Sequence, residues 1–301
     1  MINDPKSLVG SKSSAISDRA PSIEKRDGSA REFLFSETDF ERVRKLIYQR
    51  AGISLSPVKK DMVYSRLARR LRALNKSSFT EYLDALEKNG GDEWERFVNS
   101  LTTNLTSFFR EPHHFPIFAE HLRKLGNRRP IRIWCSAAST GEEPYSIAMT
   151  VAETFGSDVG HVSIVASDLD TNVLVTAEKG VYPIDRVEKL PPERLRKFFF
   201  RGTGTQEGFV AVRPELKRMI EFKQINLLDA SYPLKGPLDV IFCRNVMIYF
   251  DKPTQYKILS RFAPLLQADG LMFAGHSESF LHAADLFKSL GKTVYALSGN
   301  R

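Results

Sequence analysis

The residues best suited to chemistry crowd one short stretch, IRIWCSAASTGEEPYS from Ile131 to Ser146. An apolar run there ends in the small residues Ser136, Ala137, Ala138, Ser139 and Gly141, and the acid pair Glu142-Glu143 follows. Small side chains at the carboxyl end of a strand let a ligand approach the backbone, which is the nucleotide-site geometry of a doubly wound sheet. There is no GxGxxG, so the turn alone fits an ordinary strand-to-helix connection equally well. Carboxylates favour the positive end of a helix dipole, and capping accounts for at least one of the pair. Acids here repel a pyrophosphate and suit a cationic ligand; S-adenosylmethionine carries both an ammonium and a sulfonium. Downstream, the run HVSIVASDLD ends in Asp168, where a carboxylate can accept hydrogen bonds from both hydroxyls of a ribose. Asp170 directly precedes the helical run Thr171 to Lys179 and fits an N-cap.

A second chemical signature follows the expected strand Leu238 to Cys243, in FCRNVMIYFD. Methylation of an exocyclic amine commonly uses Asn/Asp-Pro-Pro-aromatic at this place, and cytosine-carbon methylation needs a nucleophilic Cys beside Pro. Neither is present, which demotes base methylation without eliminating it. A carboxylate acceptor asks less, being ionised and nucleophilic at neutral pH. No general base is then required, only in-line alignment and exclusion of water. Cys135 and Cys243 each end an apolar run and read as buried free thiols, outside any zinc-ligand spacing. His113, His114 and His276 read as structural or capping residues, His276 bordering the site. No metal is expected.

The elements that must position these groups form three parts. Residues 1–32 mix Ser, Lys, Asp, Gly and Pro with few large apolar side chains and read as a disordered tail. Residues 33–104 carry helical periodicity: Ser36 and Asp39 open a helix with Phe40, Val43 and Ile47 on one face, and Ala51-Gly52 ends it. Further helices are expected over Val58 to Leu74, Phe79 to Lys88 and Trp94 to Leu101. From 105 to 301 short β-rich runs alternate with helices, which implies an α/β fold with a doubly wound, mainly parallel sheet. Phe198 to Phe200, Gly208 to Arg213 and Arg218 to Lys223 break the alternation and are expected to form a small antiparallel insertion at about 195–222. The 301 residues hold 42% hydrophobic residues, enough for two modest domains or one large one with an appendage. No apolar run approaches the ~20 residues a membrane-spanning helix needs, and no secretory signal is apparent, so a cytoplasmic location is expected.

Six strings in order, TTNLTSFFRE (102–111), ASTGEEPYSIA (138–148), ASDLDTNVL (166–174), NLLD (226–229), FCRNVMIYFD (242–251) and GHSES (275–279), resemble the chemotaxis-receptor methyltransferases, the CheR family. The resemblance runs from about residue 35 to the C-terminus. It implies an S-adenosylmethionine-dependent O-methylation of glutamate side chains on bacterial chemotaxis receptors, with S-adenosylhomocysteine as the other product. It further implies that Asn104, Thr106 and Arg110 touch the cofactor from the interdomain segment and that Glu143 contacts its methionyl portion. Asp168 would hold the ribose, Asn226 and Leu227 would flank the adenine, and Asn245 and Val246 would line the pocket. Arg110 and Tyr249 would stand beside the reacting centre as positioning cation and hydroxyl donor; a helix-end salt bridge and a half-buried aromatic are their ordinary alternatives.

Two surface features point to the acceptor. Between Val58 and Lys76 seven Lys/Arg face one acid, Asp61, and the chain carries a net charge of +8. On a helix Arg66 and Arg70 share a line with Lys59, and Arg69 lies beside it, next to the apolar arc of Val63, Leu67, Leu71 and Leu74. A solvated cationic surface is the plain reading. An acidic protein helix suits this face better than nucleic acid, since no aromatics interleave the charges. In the family resembled, some members grip an aromatic-containing pentapeptide at the receptor's C-terminus with the antiparallel insertion, and the turn Arg201 to Gly204, through Gly202 and Gly204, matches that version. A nucleic-acid methyltransferase and a cofactor-sensing binding module stay open as other classes. The expected partner is a receptor's cytoplasmic domain, without nucleic acid and without membrane insertion.

Overall fold

The computed structural model describes residues 31–126 and 130–299; nearly all of the expected tail lies outside them. Four helices, α1 (Glu37–Ala51), α2 (Lys60–Ala73), α3 (Phe79–Asn89) and α4 (Glu93–Leu101), form the first unit. Helix α1 starts where the sequence places it, because Ser36 Oγ accepts from Asp39 N while the Asp39 carboxylate accepts from Ser36 N, both at 3.0 Å. Such a reciprocal cap stabilises a helix by about 1 kcal/mol. Phe40, Val43 and Ile47 of α1 pack with Val63, Leu67 and Leu71 of α2 and Phe97 of α4 in one core. Leu74 ends α2 half-exposed rather than joining that arc.

After α5 (His114–Leu125) comes the α/β unit: β1 (Ile131–Cys135), α6 (Glu142–Phe155), β2 (Val162–Asp168), α7 (Thr171–Lys179), β3 (Val181–Pro183), α8 (Pro192–Phe198), β4 (Phe199–Arg201), β5 (Phe209–Val212) and α9 (Pro214–Lys217). It closes with β6 (Ile220–Gln224), β7 (Leu238–Cys243), α10 (Lys252–Phe262), β8 (Leu266–Ala274), β9 (Phe287–Gly291) and β10 (Val294–Leu297). Seven strands make one sheet in the order β6-β2-β1-β7-β8-β10-β9. The first five run parallel; β10 and β9 join antiparallel. Strand order reverses between β1 and β7, so their carboxyl ends open a crevice at the switch point. All six residues of β7 are buried, as befits a strand covered on both faces. Trp134 of β1 is fully buried and donates Nε1–H to Ser167 Oγ at 2.9 Å, whereas Trp94, the other tryptophan, lies in the helical unit under the Arg50 guanidinium, 4.0 Å away. Among the described residues no helix is long and apolar enough to cross a membrane.

The antiparallel insertion exists, with one strand exchanged. Its three strands are β3-β5-β4, while the Arg218 to Lys223 run supplies β6, which pairs parallel to β2 at the edge of the large sheet. Short β-prone runs reveal extended backbone but not which sheet they complete, and β3, three residues ending in Pro, carries little strand signal of its own.

The two units are tied near the crevice. Ser54 N donates to Tyr249 O at 2.8 Å, Asn226 Nδ2 to Arg50 O at 2.9 Å and Tyr48 Oη to Asp251 Oδ2 at 2.8 Å.

Candidate functional site: a cavity between the two units

A cavity of about 540 Å³ sits over the carboxyl ends of β1, β2 and β7, roofed by α2 and the segment that links α4 to α5. That volume suits a cofactor-sized ligand. Five of the chain segments that converge on it carry the expected site residues. The linking segment contributes Asn104, Thr106 and Arg110; the β1–α6 turn contributes Ser136, Ala137, Ser139 and Glu143; β2 contributes Asp168; and the loops after β6 and β7 contribute Asn226, Leu227, Asn245, Val246 and Tyr249. All ten residues expected around the cofactor and the reacting centre therefore face one cavity. Arg66, Arg69, Arg70, Gly202 and Gly204 do not line it.

Asp168 is fixed before any ligand arrives. Its Oδ1 accepts from Asp170 N at 3.0 Å and its Oδ2 from Ser139 N at 2.8 Å, with Ser139 in a left-handed conformation (φ 48°). Each carboxylate oxygen keeps a lone pair for a further donor. Burial pushes the carboxyl above its ordinary range, against those backbone N–H bonds. Asp170 caps α7 through Asn172 N (3.0 Å), as expected, and its second oxygen takes Thr102 Oγ1 and Asn104 Nδ2, both at 2.8 Å. Asn104 thus uses its amide N–H to moor the linking segment to the start of α7.

The acid pair divides. Glu142 is fully buried and pairs with Arg186 of the connection after β3. Glu143 lines the cavity, accepts from Cys135 Sγ at 3.5 Å and from Arg244 Nη1 at 2.8 Å. Burial raises the Glu143 carboxyl and the Arg244 charge opposes it. Arg244, buried directly after β7, also meets Glu111 at 3.3 Å and donates to Arg110 O. The sequence reading assigned Arg244 no role; an arginine directly after the apolar run Val240 to Cys243 is the signal, since a buried cation must be paired.

Arg110 stands between two left-handed residues, Phe109 (φ 51°) and Glu111 (φ 53°). That backbone is held by Phe109 N donating to Ser146 Oγ at 2.9 Å and by the bonds of Glu111. Its guanidinium donates to Leu105 O at 2.8 Å, and among the described residues no carboxylate pairs with it, so the salt-bridge alternative fails. Tyr249 is half-buried, its hydroxyl 3.4 Å from Thr103 O, and burial raises its pKa while Arg110 lowers it. Exposed Leu105 and Ile248 rim the same mouth.

Glu111 ties the histidines together. Burial works against its ionisation, yet hydrogen bonds from His276, the Arg244 charge and Asn245 hold it at about 2. Glu111, His113 and His114 bring ligand-type atoms within 4.8 Å, closer than their sequence spacing implied, but the Glu111 carboxylate is already paired with Arg244. His114 is buried and held at about 4 by burial and by Arg244. Cys135 and Cys243 are buried free thiols, as expected.

The basic helix is less free than its sequence implied. Arg70 is bound bidentately to Glu93 of α4 at 2.9 and 2.6 Å. Arg66 donates to the carbonyl of Thr102 near the end of α4. A helical wheel cannot reveal that α4 presents these acceptors. Arg69 is exposed, and Lys59 lines the mouth of the cavity. At the far side, a Cβ on Gly202 would lie 1.9 Å from Gln206 O and Gly204 takes φ +59°, so both glycines are required by the turn itself.

Comparison with known proteins agrees with this geometry. Residues 38–102 match the all-alpha domain of CheR methyltransferases, and residues 104–296 their SAM-binding domain. The chain is 54% identical over 264 residues to the chemotaxis protein methyltransferase of Escherichia coli (strain K12), covering 87% of this chain and 92% of that protein. It is also 54% identical to chemotaxis protein methyltransferase 2 of Pseudomonas aeruginosa, covering 88% and 95%, and 54% to the chemotaxis protein methyltransferase of Salmonella typhimurium, covering 88% and 92%. Matched by both domain models across most of its length and 54% identical to these relatives, the chain belongs to the CheR methyltransferase family.

Proposed function

We propose that this protein transfers a methyl group from S-adenosylmethionine to glutamate side chains of bacterial chemotaxis receptors, forming methyl esters. The observation that carries the reading is the composition of one cavity: among the described residues Glu143 and Asp168 are its only lining carboxylates and no histidine lines it, and Arg110 and Tyr249 stand at its open side. That set fits a cationic, ribose-bearing cofactor and an acceptor that needs no general base. When bound, S-adenosylmethionine supplies an activated methyl group on sulfur and leaves as S-adenosylhomocysteine. Asp168 accepts the ribose hydroxyls, Glu143 takes the methionyl ammonium, Asn226 and Leu227 flank the adenine, and Asn104, Thr106, Asn245 and Val246 complete the walls. Arg110 and the Tyr249 hydroxyl hold the incoming carboxylate in line, and the surrounding walls exclude water. Catalysis by alignment of this kind needs no proton transfer.

The domains divide this work, the helical unit 33–104 presenting the acceptor and residues 105–301 holding the cofactor. Arg69 and Lys59 suit attraction of an acidic receptor helix, with Arg66 and Arg70 contributing charge from structural positions. The half-exposed Phe200 and Phe209, and the unpaired edge of β4, suit an extended aromatic-containing peptide added as a strand. A grip there would raise the local concentration of methylation sites and keep the enzyme beside receptor arrays in the cytoplasm. Incubation with labelled cofactor and receptor-containing membranes tests the reaction: the label should enter the receptor fraction and be released by mild alkali. Alkali-stable label, or label in nucleic acid, would overturn it. Titration of the isolated peptide tests the grip, which Phe200→Ala should weaken without changing cofactor affinity.

A further inference from the structure

The loop from Arg244 to Tyr249 carries five residues that line the cavity, so what fixes this loop fixes the reacting centre. It has little internal structure: Asn245 is left-handed (φ 58°), and only a single 3₁₀ turn, Met247–Tyr249, follows. Its backbone N–H groups converge on one side chain outside the cavity. The Glu278 carboxylate accepts from Asn245 N at 2.9 Å through Oε2 and from Met247 N at 2.7 Å through Oε1, and Oε2 also takes Gly275 N. Glu278 is 4% exposed and lies in the GHSES segment after β8, the one motif to which the sequence reading gave no chemical work. The neighbouring strand end is shaped for this contact. A Cβ on Gly275 would lie 2.9 Å from the backbone N of Asn245, closer than real Cβ contacts come, so glycine lets the two segments approach this closely.

We propose that Glu278 is a positioning residue for methyl transfer: an internal carboxylate that gathers the backbone N–H groups of the 245–247 loop and so sets where Asn245 and Tyr249 meet the reactants. This rests on the methyltransferase reading above. Glu278 does not line the cavity and touches neither reactant, so it acts through the loop. Charge-assisted hydrogen bonds are about twice as strong as neutral ones, and an ionised carboxylate offers acceptors in every direction required. A protonated carboxyl offers fewer and turns a donor toward N–H groups. Burial raises the Glu278 carboxyl, with the backbone bonds opposing, so acidification should loosen the loop before the ordinary carboxylates titrate.

The test compares wild type, Glu278→Gln and Glu278→Ala in receptor methylation, with cofactor affinity by calorimetry and the thermal midpoint measured on the same preparations. Glutamine keeps the volume and one acceptor oxygen but turns an amide toward the donors. We expect kcat to fall about 10- to 100-fold in Glu278→Gln, the loss of one or two hydrogen bonds to a charged group, with cofactor affinity changed by less than about threefold. The acidic limb of the wild-type kcat profile should flatten in Glu278→Gln, which a purely structural role would not produce. Glu278→Ala should lose more of kcat. Unchanged kcat and an unchanged acidic limb in Glu278→Gln would overturn the proposal, as would failure of that variant to fold. A wild type that methylates no receptor would instead overturn the proposed function, leaving these outcomes distinguishable.

Discussion

The two ends of the cavity are built differently. At the end proposed to hold the cofactor, the principal polar groups are bound to others before a ligand enters: Asp168 to two backbone N–H groups, Glu143 to Arg244, Asn104 to Asp170. At the mouth, Arg110 and Tyr249 have one carbonyl each, and Leu105 and Ile248 stand exposed around them. A cofactor is one fixed molecule, and a rigid, pre-bonded receptor binds it without a large ordering cost. A protein acceptor arrives as a surface, so the groups that meet it stay less committed. Disruption at the cofactor end should therefore cost folding as well as binding, while disruption at the mouth should cost turnover alone.

The largest effect should follow Arg244→Ala, which strips the cation from Glu143 and Glu111. Breaking a buried pair by removing one partner costs about 3–5 kcal/mol, so urea unfolding should show a large drop in stability; a loss under about 1 kcal/mol would mean the cofactor end is less pre-bonded than described. Next, Arg110→Ala should lower kcat/KM by about 10- to 100-fold, the value of a hydrogen bond to a charged group, while the unfolding midpoint stays within experimental error. Lost stability in that variant would erase the contrast between the two ends. Asp168→Ala removes the ribose acceptor and should weaken cofactor binding by roughly 1–3 kcal/mol in calorimetric titration. An unchanged affinity would move the ribose elsewhere.

A pH experiment sharpens the same contrast. Burial raises both Asp168 and Glu143. Carboxyls raised in the fold favour the folded apo protein while they are protonated, below the unfolded value, and that contribution is lost as pH rises through the folded value. A cationic ligand reverses the preference and demands the ionised forms. Cofactor binding should therefore release more protons at pH 5 than at pH 8, read from calorimetry in buffers of different ionisation enthalpy. Proton uptake at pH 5 would contradict the pairing. The smallest effect belongs to α2: Arg69→Glu should slow receptor methylation only a few-fold at low salt and less at high salt. Arg70→Glu, by contrast, should destabilise the helical domain by breaking its bond to Glu93.

Much of this molecule is written locally. The capping box at Ser36, the cap at Asp170, the helical core face of α1 and the buried run of β7 all follow from residue type and spacing, because their partners lie within four residues or along one element. From the residues alone, Asp168 and the 136–143 turn also stood out, since a strand, a small-residue turn and an acid follow each other in the chain. The remaining pocket residues came from family resemblance, and for a physical reason. Residues 104, 168, 226 and 245 meet only after three crossovers of the chain, and no periodicity encodes that. The same gap explains why Arg70 looked free, why Ile220–Gln224 was grouped with the wrong strands, and why Arg244, Glu111 and Glu278 went unnoticed. Each depends on a neighbour far away in sequence.

The placement of the two tryptophans has a practical consequence. Trp134 is sealed inside the large sheet against Ser167, and Trp94 lies half-buried in the helical domain beneath Arg50. Each domain thus carries its own intrinsic chromophore in a distinct electrostatic setting, one apolar and one facing a cation. Their emission maxima should differ, and a Trp134→Phe or Trp94→Phe protein would report the order in which the halves come apart, without any attached dye.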